Sequence, residues 1–128
     1  MDFTNIEIQY IYLELLKSEK EIEEILNYPS KFPSKIIENL SLKIAHNYWK
    51  KDLDYSTAND LISILFGFYS TNENFFKNYT FPKVSWEIFD AFDAGEYHHK
   101  EDDKEVDPVE KYTNTEIENI LKKAEIIK

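Results

Sequence analysis

Cysteine is absent from this chain, and glycine occurs only twice. The first absence excludes a disulfide framework and a thiolate metal site, and it suits a cytoplasmic protein. The second, with only four prolines, leaves little turn punctuation and favours helices over a many-stranded sheet. Two glycines also cannot build a glycine-rich phosphate loop. Long apolar runs are missing too. The most apolar stretch, Leu61 to Tyr69, is far too short to span a bilayer. The opening residues MDFTNIEIQY lack a basic start and a continuous apolar run, so no signal peptide is expected. Basic residues are outnumbered 15 to 25, giving a net charge of −10 and a pI near 4.7. Phosphates would repel such a surface, which argues against binding nucleic acid or an anionic membrane. A basic protein partner, or cations, would be attracted. Acidity that serves only solubility is the plain alternative.

What is present suffices for one core. Hydrophobic residues make up 42% of 128 positions, and 20 residues are aromatic. A domain of this length folds without covalent staples. The expectation is all-α: a single compact domain, residues 1–128, of about six helices. Ile8, Ile11, Tyr12, Leu15 and Leu16 recur at helical spacing over about 5–17, although Ile6 to Tyr10 also alternates like a strand. Ser18 with Glu21 makes a capping box for a short helix that Tyr28-Pro29 stops. Phe32-Pro33-Ser34 opens a helix to about Lys50, with Ile37, Leu40, Ile44 and Tyr48 on one face. His46 sits near that stripe and reads as a packed, hydrogen-bonded histidine rather than a base.

Asp54 or Ser56 caps a helix to about Tyr69 whose apolar residues point in nearly every direction, which marks a central element. Gly67 inside it is expected to admit a close neighbour. A further short helix is expected around Phe75 and Phe76. Phe81-Pro82 then starts a helix that Gly95 should end as the first residue beyond the cap. Asp107-Pro108-Val109-Glu110 and the pair Thr113/Glu116 are both helix-start signals, and Ile117, Ile120, Leu121 and Ala124 form the inner stripe of a last helix. The loop Glu96 to Val106 is the longest polar connection, and loops of that length are often functional.

The charge is concentrated. Trp86 to Asp107 holds nine of the 25 acidic residues, opposed only by Lys100 and Lys104, and two of the three histidines. Its 22 residues carry about −7 of the −10. At about 100° per residue, Phe81, Ser85, Ile88 and Phe92 form the core face of the helix. Trp86, Asp90 and Asp93 fall on the opposite side, within about 60° of one another, and Tyr97 would extend them. Exposed tryptophan beside acids suits a binding hot spot, with rings giving burial and carboxylates steering a basic partner. The bland alternative is that another segment covers Trp86. The candidate contact residues are Trp86, Asp90, Asp93, Glu96, Tyr97, Glu101, Asp102 and Asp103.

Other chemistry is weaker. Asp90, Asp93, Glu96, His98 and His99 contain metal-ligand types, but there is no HExxH, no EF-hand loop and no repeated Glu-x-x-His pair. No metal and no cofactor is therefore expected. A metal-dependent or acid–base enzyme built on those five residues is the runner-up reading, and an acidic helical regulatory module the third. The adjacent histidines in an acidic loop would make partner binding pH-sensitive near neutrality.

From Trp86 to Thr113 the pattern W-E-I-F-D-A-F-D-A-G-E-Y, followed by D-P-V-E-K-Y-T, resembles small acidic bacterial immunity proteins. These accompany toxins of interbacterial competition and contact-dependent inhibition. The resemblance covers under a quarter of the chain. It implies a non-enzymatic protein that binds a cognate toxin domain, often a basic nuclease, and occludes it. It implies no catalytic residue, and it does not fix the fold, because such proteins are diverse in architecture.

Overall fold

The computed structural model describes residues 12–13, 33–71 and 80–128. These residues form four α-helices and one π-helical segment, with no strand among them. Helix α1 spans Pro33–Trp49, α2 Tyr55–Thr71, α3 Lys83–Asp93 and α4 Thr115–Lys123; the π-helix Val109–Asn114 runs directly into α4. The expected helices over 5–17 and 18–28, and the one around Phe75, lie outside the described residues, so the count of six is not reached here. Tyr12, within the first of them, is helical and buried. Its hydroxyl accepts a hydrogen bond from Asn47 Nδ2 at 2.8 Å.

Local chemistry explains the helix boundaries. Pro33 occupies the first helical position of α1, where its missing N–H costs nothing. Asp54 caps α2 by accepting the Thr57 amide at 2.8 Å, the first of the two expected caps. Both α1 and α4 end in a left-handed residue. The Lys51 amide reaches Tyr48 O at 3.0 Å and the Asp52 amide reaches Asn47 O at 2.9 Å. The same pair of bonds recurs from Glu125 to Lys122 O and from Ile126 to Leu121 O. These are Schellman endings, normally closed by glycine, yet Lys51 (φ 71°) and Glu125 (φ 61°) hold them.

The two glycines serve elsewhere. Neither adopts a positive φ. Gly95 follows α3 as expected, but its role is steric: a Cβ there would overlap Thr113 Oγ1 and lie 3.0 Å from the Tyr55 hydroxyl. Gly67 was expected to admit a close neighbour. Among the described residues, a Cβ at Gly67 would meet nothing within 4 Å.

One apolar cluster joins all four helices. Ile37, Leu40 and Ile44 of α1, Leu65 of α2, Ile88 and Phe92 of α3, and Ile117 and Leu121 of α4 are all at most 1% exposed. The expected inner stripe of α4 is as seen, with Ile117, Ile120 and Leu121 buried. The expected centre, α2, meets fewer of the described elements than α3 does. Helix α3 packs on α1, α2, α4 and the π-helix, whereas α2 packs mainly on α1 and α3, and its Ile64 is 38% exposed. The stretch that carries the charge is thus also the hub of the described fold. Ser85 explains how α3 approaches α1: its small side chain is buried, and Ser41 Oγ lies 2.8 Å from Ser85 Oγ and 2.7 Å from Ile37 O.

Candidate functional site

Helix α3 builds a surface with an aromatic part and an acidic part. The expected core face of Phe81, Ser85, Ile88 and Phe92 is buried, and Ala91 is buried with it. Trp86 lies on the other side and remains 37% exposed. It is not isolated. Its ring meets Phe66 of α2 edge-on at 5.0 Å and Phe81 at 5.3 Å, with Tyr69 and Phe89 at 6.5 and 6.3 Å. Phe66 in turn stacks on Phe89 at 4.4 Å. Edge-to-face pairs of this kind hold an indole firmly while leaving its outer face to solvent. Phe66 of α2 braces the ring on one side, and the ring remains partly exposed.

One and two turns along, Asp90 and Asp93 are exposed, and Glu96 beyond the helix end is exposed as well. Glu96 Oε1 accepts Asn59 Nδ2 of α2 at 2.6 Å, which fixes the acidic end against α2. This end is electrostatically unfavourable. The last turn of α3 carries no basic residue, and carboxylates at a helix C-terminus oppose the helix dipole. Partial burial raises the Asp93 carboxyl above its usual range, and the neighbouring Glu96 and Asp90 charges push it the same way.

The carbonyls at that helix end are collected by side chains from elsewhere. Tyr55 of α2 donates its hydroxyl to Phe92 O. Thr113 of the π-helix donates to Ala91 O at 2.7 Å, and His99 Nε2 donates to Ala94 O at 2.9 Å. Burial, then Glu96, holds the Tyr55 phenol up at about 12. The expected capping role of Thr113 is overturned by this geometry. Thr113 is fully buried, and Asn114 keeps helical angles between the π-helix and α4, so no free helix start exists there to cap.

The loop 96–106 is tied back rather than loose. His98 Nε2 donates to Asp103 O at 2.7 Å. The His99 ring lies between Tyr97 at 4.5 Å and Tyr112 at 3.9 Å. Tyr97 is 53% exposed at the outer end of this stack, and Glu101 and Asp103 are exposed beside it. Asp102 differs from the other candidates. Its carboxylate pairs with Lys111, accepts the Tyr112 hydroxyl at 2.5 Å and is only 5% exposed. Those two hydrogen bonds hold it below the usual carboxylate range. Asp102 therefore fastens the loop to the π-helix, and its charge is not presented outward.

The five residues of the metal reading do not converge. Each histidine directs its Nε2 at a different backbone carbonyl, and no group of three or more potential ligands is close enough to hold an ion among the described residues. No helix among them is long and apolar enough to cross a membrane. Sequence reasoning missed Asn59, Tyr55 and Thr113, which position the site from distant segments. No local pattern marks these roles, because each acts across the fold, and Thr113 carries a misleading one as a helix-start signal. The chain matches no protein-family model, no curated protein and no solved structure.

Proposed function

We propose that this protein is a non-enzymatic immunity protein that binds and neutralises a basic toxin domain through the exposed side of α3 and the loop that follows it. One observation carries the reading: Asp90, Asp93 and Glu96 gather at the helix end where the dipole and their mutual repulsion both oppose them. Charges that serve only solubility gain nothing from that position. A partner's lysine or arginine would relieve the repulsion on docking, and Trp86 beside them offers an apolar anchor already braced by Phe66 and Phe81. Tyr97 is a second anchor, with Glu101 and Asp103 at the rim. Asp102 drops out of the contact set, because Lys111 neutralises it internally. A cytoplasmic location fits a protein that intercepts an incoming toxin, and an acidic surface competes with the phosphates a nuclease would otherwise grip.

The test is co-purification with the product of the neighbouring gene, followed by association kinetics. An equimolar complex is expected. Asp90→Lys with Asp93→Lys should slow association and weaken the complex while the helical circular dichroism is kept. Binding that survives this double change at low salt places the interface elsewhere.

A further inference from the structure

A concave feature lies where α1 ends, α2 begins and the π-helix meets α4. It is a cleft of about 480 Å³ whose lining includes Tyr48, Trp49, Lys51, Asp54, Tyr55 and Asn114. That volume falls in the range of small-molecule sites. Two backbone irregularities meet at its edge: the left-handed Lys51 and the end of the π-helix at Asn114. Both kinds of irregularity concentrate at functional positions.

The walls have a definite chemistry. The Tyr48 hydroxyl donates to Asn114 Oδ1 at 2.6 Å, and the Tyr55 hydroxyl donates to Phe92 O. Both phenols are engaged with the protein and both rings rest against Phe92, at 5.1 and 5.8 Å, so each ring lines the cleft only in part. The two rings stand at 68° with centroids 6.3 Å apart, and Trp49 adds a third aromatic. Asp54 supplies a carboxylate at the rim. Beyond it, after burial, the Glu96 and Asp93 charges raise the Tyr55 phenol and the Asp107 charge raises that of Tyr48, so carboxylates stand near both rings. Lys51 is the one lining residue of opposite charge. Aromatic walls beside carboxylates attract cations that carry apolar surface.

We propose that this cleft is a binding site for an organic cation, an ammonium or guanidinium group with an apolar stem. The rings of Tyr48, Trp49 and Tyr55 take the stem and the cationic head, Asp54 balances the charge, and Lys51 sets a limit on affinity. Its lining residues are distinct from the surface assigned to the toxin domain, although Asp93 and Glu96 of that surface also act on Tyr55.

Trp49 and Trp86 are the two tryptophans, so Trp86→Phe leaves Trp49 as the single reporter. Its emission is titrated with tetramethylammonium chloride and with sodium chloride at equal ionic strength. A saturable change with the organic cation alone is expected. Asp54→Asn should weaken it severalfold, since asparagine caps a helix as well as aspartate but lacks the charge. Lys51→Gly should tighten it. Identical responses to the two salts, or a saturable response that neither substitution alters, overturn the proposal. If Trp86→Phe does not fold, the indole N–H resonance of Trp49 in the unaltered protein gives the same readout. Butylammonium and butylguanidinium separate the sources: tighter binding than tetramethylammonium assigns the site to a protein-borne lysine or arginine, and the reverse order to a free quaternary ammonium.

Discussion

Thr113 donates its hydroxyl to the carbonyl of Ala91, 22 residues earlier, at 2.7 Å in the interior. The amide that would ordinarily reach Ala91 O belongs to Gly95, and it turns instead to Phe92 O at 3.1 Å. Thr113 thus satisfies a carbonyl that the helix itself leaves open.

Thr113→Val keeps the shape and removes the donor. A buried carbonyl left without a partner costs about 1–3 kcal/mol, so the variant should lose that much in urea unfolding. Thr113→Ser retains the hydroxyl and should lose less. Equal losses would mean that packing, not the hydrogen bond, is at stake.

Gly95→Ala forces a methyl into Thr113 Oγ1 and against Tyr55. Overpacking of this kind costs about 1–3 kcal/mol. Thr113→Ala vacates part of that space. The double variant should therefore be more stable than the sum of the two single losses implies, by about 1 kcal/mol in a double-mutant cycle.

Lys51 and Glu125 close helices in a conformation that glycine adopts without strain. Lys51→Gly and Glu125→Gly should each raise stability by about 0.5–1 kcal/mol, less than the full left-handed penalty because glycine also loosens the unfolded chain. Chemical denaturation of each variant checks this.

The Asp93 carboxyl is raised in the folded protein, chiefly by burial and then by Glu96 and Asp90. A raised acid binds more protons folded than unfolded, so its contribution falls as pH climbs past the ordinary aspartate value of about 3.9. Asp93→Asn should stabilise the fold at pH 7, and the gain should vanish in acid where Asp93 is already protonated. Asp102, lowered by Lys111 and Tyr112, behaves oppositely: its contribution is present at neutral pH and is lost as pH falls through its depressed value. Thermal melts at pH 7 and about 3.5 separate the two signs.

Much of the fold was legible because the signals were local. Pro33 and Asp54 mark helix starts through their own chemistry, and the inward faces of α3 and α4 follow from the spacing of Ile88, Phe92, Ile117 and Leu121. The acidic, tryptophan-bearing side of α3 followed from the same angles. What stayed hidden depends on distant partners. Gly95 looks like a helix terminator, yet its reason is Thr113. Thr113 looks like a cap, yet its hydroxyl belongs to Ala91. Asp102 is indistinguishable from Asp103 in sequence, and only the fold brings Lys111 and Tyr112 to it. The all-round apolar pattern of α2 does not say which elements it meets, and among the described ones these are mainly α1 and α3.

The end of α3 is finished by Tyr55, made before it, and by His99 and Thr113, made after it. On a chain emerging residue by residue, the helix that bears the acidic surface cannot lock when its own last residue appears. It must wait for the π-helical segment to leave the ribosome and swing back. Among the described elements, this acidic helix end therefore sets only after Thr113 is in place, and a chain interrupted before Thr113 would present its charges without the frame that holds them.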